Sequence, residues 1–442
     1  LRLVSAIDNS LISKILVVTN EEHKFHVLEQ LESVNNGMCV EIIVEPAPKN
    51  TAPALIMASI LSINDEEDSI LVVSPSDHII DDVEFKKSLS TAIEEAANNS
   101  IVTLGIKPSR PETGYGYIKY EVSENQAKPH NVIEFKEKPT QDIAEKYLAD
   151  SCYLWNSGLF ILKARICNEA FSFFSNDLYE NTKKAVIQSS KQDSFIMPCK
   201  DLFLRLKPDS IDYSLMEKCT TPDSKFVVKT VELSSSWSDL GTWSSVWDFS
   251  KLNDENGNAL KGDVIAIDTK NSLVFSDNRL ITTLGLENII VVETSDSVLV
   301  SDMKDSANIK KIFDHIKSSE RKEHKLHTKV YRPWGWYDSV ENGEGFQVKR
   351  INVKPGAKLS LQSHKFRSEH WTVIKGKGEV TVNENVSILS VDESVYIPLG
   401  ATHRLCNPGI DDLEIIEVQI GSYLGEDDIQ RYDDTYGRLN DS

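Results

Sequence analysis

The 442-residue chain predicts an α/β domain on a mostly parallel sheet, followed by an all-β half that ends in a small barrel. Three observations carry this. Short apolar runs alternate with helically spaced segments from Lys14 to Ile106, the pattern of βαβ units. From Asp263 onward, short β-prone pieces are separated by evenly spaced turn signals. Residues 356–407 then place histidine, glutamine and glutamate at strand spacing.

The elements follow in order. Lys14–Thr19 is a short apolar run, read as a buried strand, and Glu21–Leu31 has helical spacing. Glu41–Glu45 is a second strand. A helix from Ala52 to Ile63 follows it, with Asn50 or Thr51 as cap. Ser69–Val73 is a third strand, and a helix over 83–97 leads to a strand over 101–106. In such sheets ligands bind past the carboxyl ends of strands. Lys49 and Asn50 follow one strand, Asp77 ends another, and Arg110, Gly114, Tyr115 and Gly116 follow a third. Each cluster alone reads equally well as a turn or a helix cap.

Composition narrows the class. No run is apolar enough to span a membrane, and no secretory signal is visible. The six cysteines are scattered without a Cys-x-x-Cys pair, as expected of reduced thiols in a cytoplasmic protein. A net charge of −20 argues against nucleic acid or an anionic membrane as partner. Small phosphorylated substrates need only local cations and stay open.

In the second half, Lys251–Asn258 is a turn-rich break. The pieces Asp263–Thr269, Ser272–Ser276, Leu280–Leu284, Ile289–Glu293 and Ser297–Ser301 suggest a meander or a β-solenoid coil. A helix over Ala307–Ser318 and a charged linker over Glu320–Lys325 close it. Beyond lies Gly356…Gln362-Ser-His364…Glu369, then Pro398-Leu-Gly400-Ala-Thr-His403-Arg404…Asn407. Gln362 and His364 share a strand face. Two imidazoles, a carboxylate and an amide converging in a barrel make a mixed N/O site, suited to Zn, Mn, Fe, Co or Ni. The alternative is a set of polar residues on an ordinary β-sandwich.

These last residues resemble the two cupin motifs, with Gln362 in place of the first histidine and Asp392 where a glycine usually opens the second motif. The glutamine is the variant of the mannose-6-phosphate isomerase branch. The first half resembles the sugar-1-phosphate nucleotidylyltransferases, and more closely the mannose-1-phosphate guanylyltransferases. The matching blocks are Glu45-Pro…Asn50-Thr-Ala-Pro, Pro75-Ser-Asp77-His78, Arg110-Pro-Glu-Thr-Gly114-Tyr-Gly116, Phe135-Lys-Glu137-Lys138-Pro139, Trp155-Asn156-Ser-Gly158, Ser210-Ile-Asp212…Glu217-Lys218 and Trp237-Ser-Asp239-Leu-Gly241. Tyr331-Arg-Pro-Trp-Gly335 and Gly421-Ser-Tyr-Leu-Gly425 match the same group. The whole resembles the bifunctional guanylyltransferase/isomerase family of bacterial GDP-mannose synthesis.

The resemblance implies a Rossmann-like mixed/parallel nucleotidyltransferase domain over 1–255, a β-rich connector over 256–325 and a cupin barrel over 326–442. Asp77 and Asp239 would hold a Mg²⁺ between nucleotide and sugar phosphates. Lys138 would pair with the sugar phosphate, and Glu137, Asn156 and Gly114 would hold the mannose. Lys49, Asn50, Arg110, Tyr115 and Asp212 complete the expected substrate contacts. Mannose-1-phosphate would attack the α-phosphorus of GTP and release pyrophosphate, a step that needs mainly alignment and charge neutralisation.

Gln362, His364, Glu369 and His403 would bind Zn²⁺, Co²⁺ or Mn²⁺ and interconvert mannose-6-phosphate and fructose-6-phosphate through an enediol. Arg404 would steady its charge or hold phosphate, with Lys358, Lys365 and Arg367 as further candidates. A homo-oligomer is expected. The family opens on a strand and a Gly-rich loop bearing Arg and Lys, whereas Gly37 is the only glycine ahead of Ile101. The expectation is an N-terminally truncated chain, inactive as a guanylyltransferase without that loop. Two alternatives stay open. One is an isomerase with an inactive first half. The other is a nucleotidylyltransferase of different specificity with a non-catalytic sugar- or metal-binding cupin.

Overall fold

The computed structural model describes residues 7, 11–32, 37–63, 68–80, 82–122, 129–250, 254–319, 321 and 329–436. It divides into two compact units, Leu1–Phe249 and Ser250–Ser442. Of the charged linker expected over Glu320–Lys325, all but Arg321 lies outside the described residues. No helix among the described residues is long and apolar enough to cross a membrane.

The first unit begins β1 (Ile15–Asn20), α1 (Lys24–Glu32), β2 (Val40–Glu45), α2 (Thr51–Leu61), β3 (Ile70–Val73), β4 (Ile79–Ile80), α3 (Asp82–Ala96) and β5 (Ile101–Ile106). These match the expected elements to within a few residues. Asn50 caps α2 as foreseen, its side-chain oxygen accepting from the Thr51 amide. Then come β6 (Tyr117–Tyr120), β7 (His130–Lys136), α4 (Gln141–Ala149), β8 (Tyr153–Lys163), α5 (Ala164–Phe174), α6 (Asn176–Ile187), β9 (Ser190–Gln192), β10 (Phe195–Met197), α7 (Lys200–Leu204), β11 (Val228–Glu232) and β12 (Trp237–Ser238). One sheet has the order β1-β2-β10-β9 and another β3-β8-β5-β11-β7-β6.

The expectation of a mostly parallel sheet needs correcting. β1, β2 and β10 pair in parallel, as do β5 and β11, but β8 runs antiparallel to β3, β5 and β6. β8 is near-continuously buried, so its sequence carries no alternation that would reveal its direction. The second sheet has apolar layers on both faces. One is built on Ile101, Leu162 and Phe171, the other on Phe85, Leu104 and Ile161.

The second unit opens with a coil of β13 (Ala259–Lys261), β14 (Val264–Ile267), β15 (Leu273–Ser276), β16 (Ile281–Leu284), β17 (Ile289–Glu293) and β18 (Val298–Asp302). β13, β15 and β17 stack in parallel, and so do β14 and β16. This is the solenoid option of the two foreseen. α8 (Lys310–Ser318) ends the coil.

The barrel consists of β19 (Lys329–Arg332), β20 (Gly335–Gly343), β21 (Phe346–Val353), β22 (Leu361–His364), β23 (Arg367–Lys375), β24 (Lys377–Val382), β25 (Asn385–Ser390), β26 (Ser394–Ile397), β27 (His403–Cys406), β28 (Leu413–Gly421) and β29 (Ile429–Asp433). Its two sheets run β19-β20-β21-β28-β23-β26 and β25-β24-β27-β22-β29. Trp371, Val373, Val380, Leu405 and Ile415 fill the interior beneath the polar residues described below.

Candidate active sites

In the first unit, strand ends and loops gather most of the expected residues at one rim. β4 and β12 form an antiparallel ribbon with Ser238 opposite Ile79. Asp77 and His78, just before β4, therefore lie beside Asp239, just after β12. The His78 ring sits edge-on to Trp237, which donates from its indole nitrogen to His78 Nδ1 at 3.4 Å. Burial lowers the His78 pKa, while the charges of both Asp77 and Asp239 oppose that shift. Both carboxylates thus act on one imidazole. The Tyr115 hydroxyl donates to Asp239 Oδ1 at 3.0 Å, and its ring packs edge-on against Trp155 and Trp237. Burial, then the charge of Asp239, raises the Tyr115 pKa. Arg110 lies over Trp155 and is tied to Glu112, which also accepts from the Gly114 amide.

Beside this lies a second group. Asn156, on β8, donates to Asp212 Oδ1 at 3.2 Å and accepts from Thr103 and the Gly158 amide. Gly158 has φ +74° and abuts Pro75 and His78, which joins the two groups. Glu137 follows β7, with a side chain only 9% exposed and a carboxylate oxygen 3.5 Å from the Lys138 ammonium. Burial, reinforced by Asp212, pushes Glu137 up to about 7, with Lys138 opposing. The Glu137 amide donates to Glu217 Oε1. Gly116 leaves the room this needs, because a Cβ there would stand 2.6 Å from Glu137 Oε2.

Lys49 and Asn50 are used differently from the expectation. The Lys49 ammonium donates to the Leu204 and Leu206 carbonyls, at 2.8 and 2.6 Å. Asn50 spends its side-chain oxygen on the helix cap at φ 67°. Both shape a loop, because an ammonium near orphan carbonyls beyond a helix end finds its acceptors there. Thr103 carries one of the site's contacts without having been singled out, and Trp237 and Glu112 had appeared only within matching blocks, with no role assigned. Aromatic and hydroxyl residues on buried strands look like core in a sequence.

In the barrel, β22, β23 and β27 bring His364, Glu369 and His403 together, with their ligand atoms within 4.8 Å of one another. All three are at most 2% exposed. His364 Nε2 lies 3.1 Å from Glu369 Oε1, and His403 Nε2 lies 3.6 Å from Glu369 Oε2. Gln362, opposite His403 in register, places its amide nitrogen 3.5 Å from His403 Nε2.

The donor set fits a divalent transition ion. His403 Nδ1 is satisfied by the Ala401 carbonyl at 3.0 Å, which leaves Nε2 as the ligand atom. Among the described residues the buried His364 Nδ1 has no hydrogen-bond partner and Nε2 faces only the Glu369 carboxylate, a cost that a bound ion would relieve. Burial lowers the His403 pKa and keeps the neutral, ligating form. Burial opposes ionisation of Glu369, yet His364 and His403 outweigh it and hold its pKa down.

A frame not foreseen from the sequence fixes Glu369. The Trp371 indole donates to both Glu369 and Glu417 at 3.0 Å. Gln419 donates to the same two carboxylates, at 3.2 and 2.9 Å. Burial, then the charge of Glu369, pushes Glu417 up to about 8. Fully buried Arg367 reaches the Gly425 carbonyl and Glu369.

The expectation for Arg404 is not met by this geometry. Side chains alternate along β27, so His403 and Leu405 point inward and Arg404 outward. Arg404 pairs with Asp433 on β29 instead.

Comparison with known proteins gives three matching family profiles: "Nucleotidyl transferase" over residues 2–256, "MannoseP isomerase/GMP-like beta-helix domain" over 262–316 and "Mannose-6-phosphate isomerase C-terminal" over 319–434. The chain is 46% identical over 424 residues to the xanthan biosynthesis protein XanB of Xanthomonas campestris pv. campestris, covering 96% of this chain and 88% of that one. It is 42% identical over 430 residues to a mannose-1-phosphate guanylyltransferase of Escherichia coli, with the same coverages. It is also 42% identical over 428 residues to the alginate biosynthesis protein AlgA of Pseudomonas aeruginosa, covering 96% and 87%. A solved structure from Thermus thermophilus, named a mannose-1-phosphate geranyltransferase, shares the fold over 69% of this chain and all of its own, with TM-score 0.57 and 23% identity.

Proposed function

The chain belongs to the nucleotidyl transferase family, among the mannose-1-phosphate guanylyltransferases that carry a mannose-6-phosphate isomerase domain, and from that premise we propose how its two clusters divide the work. The enzyme serves GDP-mannose biosynthesis. The first unit joins mannose-1-phosphate to GTP and releases pyrophosphate. The barrel interconverts fructose-6-phosphate and mannose-6-phosphate.

Families of both kinds use divalent metals. Asp77 and Asp239 would hold Mg²⁺, and His364, Glu369, His403 and Gln362 would hold Zn²⁺, Co²⁺ or Mn²⁺. When bound, these ions neutralise phosphate charge at the first site and polarise the sugar carbonyl at the second. The chain's own residues do the rest. Glu137 accepts from mannose hydroxyls, Asn156 fixes the ring's orientation and Lys138 faces the sugar phosphate. Tyr115 holds the Asp239 carboxylate in place by the 3.0 Å bond. The pocket needs no covalent step, only alignment and charge placement. In the barrel, Trp371 and Gln419 hold Glu369, so the ligand carboxylate cannot swing.

The observation that carries this reading is the buried His364–Glu369–His403 trio, in a chain whose other unit gathers Asp77, Asp239, Glu137 and Asn156 at one rim. The test is a pair of coupled assays on the full-length protein. One follows GTP with mannose-1-phosphate, and the other follows fructose-6-phosphate with each of the three transition metals. Stronger turnover of glucose-1-phosphate than of mannose-1-phosphate would overturn the first assignment. No interconversion with any of the ions would overturn the second.

A further inference from the structure

Three glutamates belong to the polar network in the barrel, and one of them has no work so far. Glu369 is part of the buried trio. Glu417 is 4% exposed and accepts from both Trp371 and Gln419. Glu426 differs. Its side chain is 45% exposed, and its Oε1 accepts from the Lys349 ammonium at 2.6 Å. The Lys349 side chain is itself only 5% exposed and lies against the Tyr337 ring. Burying an ammonium is costly, and lysine is almost never buried unless paired.

The fold holds this pair against the trio. Lys349 on β21 faces Glu417 on β28 in register, and Glu417 faces Trp371 on β23, two residues after Glu369. Glu426 opens a single helical turn, Glu426–Asp428, that follows β28. The turn is tied at both ends to the hairpin that carries His364 and Glu369. At one end the Gly425 carbonyl accepts from Arg367 at 2.9 Å. At the other the Asp428 carboxylate accepts from the Lys365 and Phe366 amides, each at 3.2 Å. Arg367 also reaches Glu369, at 3.4 Å. One arginine therefore links the Glu426 turn to Glu369.

We propose that Glu426 moves the proton between C1 and C2 of the hexose phosphate, with Lys349 as its positioning residue. The assignment rests on the isomerase reading above and adds the group that performs the transfer. From open-chain mannose-6-phosphate the carboxylate takes the C2 proton. The C–H electron pair becomes the C1=C2 bond, and the carbonyl pair moves onto O1. The hydroxyl proton passes from O2 to O1. O2 then re-forms a carbonyl at C2 as C1 takes the proton back from Glu426. No oxidant or reductant is consumed, and the carboxylate ends as it began. Glu426 suits the task because it is the open one of the three and keeps acceptor sites beyond its bond to Lys349. Burial of the rest of the side chain opposes its ionisation, but Lys349, then Arg367 and Arg332, outweigh that and hold its pKa down.

The test compares the wild-type full-length protein with Glu426→Gln and Lys349→Met, each loaded with Zn²⁺, Co²⁺ or Mn²⁺. Glu426→Gln is expected to lose about 10³-fold in isomerisation kcat. Calorimetric binding of mannitol 1-phosphate, which has no carbonyl to isomerise, stays unchanged, as do bound metal by elemental analysis and the guanylyltransferase rate. Lys349→Met loses less, and the acid limb of its kcat/KM profile moves to higher pH. The reason is that one cation favouring ionised Glu426 is gone, while Arg367 on β23 and Arg332 on β19 remain. A lysine that served packing alone would leave that limb in place.

A loss of less than about tenfold in Glu426→Gln overturns the proposal. So does a matching loss of mannitol 1-phosphate binding or of metal, which marks a merely structural carboxylate. An acid limb that Lys349→Met does not move overturns the positioning role. If the wild type interconverts nothing, the isomerase reading itself has failed. Exchange of the C2 hydrogen of mannose-6-phosphate with deuterated water then decides Glu426 separately. Wild-type exchange that Glu426→Gln abolishes upholds it, and absence of exchange overturns it.

Discussion

Gly116→Ala isolates the sugar pocket with a single methyl group. The backbone of Gly116 is not in the left-handed region, so alanine suffers no strain there. The conflict is steric. The new Cβ would lie 2.6 Å from Glu137 Oε2, against 3.4 Å for ordinary contact, a shortfall of 0.8 Å. It would also lie 3.3 Å from Asn156 Cβ and Phe135 Cζ. These two are parts of packed strands that give little. The Glu137 carboxylate, at the end of a flexible side chain, moves instead and leaves its 3.5 Å contact with Lys138.

The stability loss therefore falls at the low end for overpacking, about 1 kcal/mol. The functional loss is larger, because misplacing a binding group by about 1 Å can cost roughly 10²-fold. We expect kcat/KM for mannose-1-phosphate to fall about 10- to 100-fold, with the KM for GTP and the isomerase rate unchanged. Pyrophosphate release measures the first activity, and isomerisation serves as the control for intact protein. Wild-type kinetics with mannose-1-phosphate at an unchanged Tm would refute the reasoning that Glu137 lines the sugar pocket.

Three further outcomes are expected. Asp239→Asn keeps an acceptor for the Tyr115 hydroxyl and the Gly241 amide but removes the charge, so nucleotidyl transfer falls by about 10²- to 10³-fold while isomerisation survives; equal loss of both activities would count against two separate centres. His403→Ala reverses that pattern and lowers bound transition metal measured by elemental analysis; isomerisation persisting after the metal is gone would make the ion structural only. Glu137, pushed up to about 7 by burial and Asp212, accepts hydroxyl protons fully only when ionised, so the KM for mannose-1-phosphate should fall as pH rises through about 7. Glu137→Gln should flatten that profile, and a wild-type profile flat through the same range would count against Glu137 as the acceptor. The same raised pKa favours the folded state below the ordinary carboxylate range, a contribution lost as pH climbs through about 7.

Local patterns were enough to read the alternation of β1, α1, β2 and α2, the Asn50 cap and the stacked coil, because helix and strand periods and turn residues act over a few positions. The candidate residues in the barrel were legible for a similar reason. Gln362 and His364 sit two apart on one strand and so share a face, and Glu369 follows on the next strand in the chain. What is built from distant segments was not legible. The direction of β8, the ribbon that lays Asp77 beside Asp239, and the Trp371–Gln419 frame around Glu369 depend on pairings between remote strands. Arg404 shows the limit most plainly. Its neighbour His403 points inward, and strand alternation sends Arg404 the other way, toward Asp433. Adjacent residues on a strand do not share a face, and only the closed barrel says which cations stand inside it.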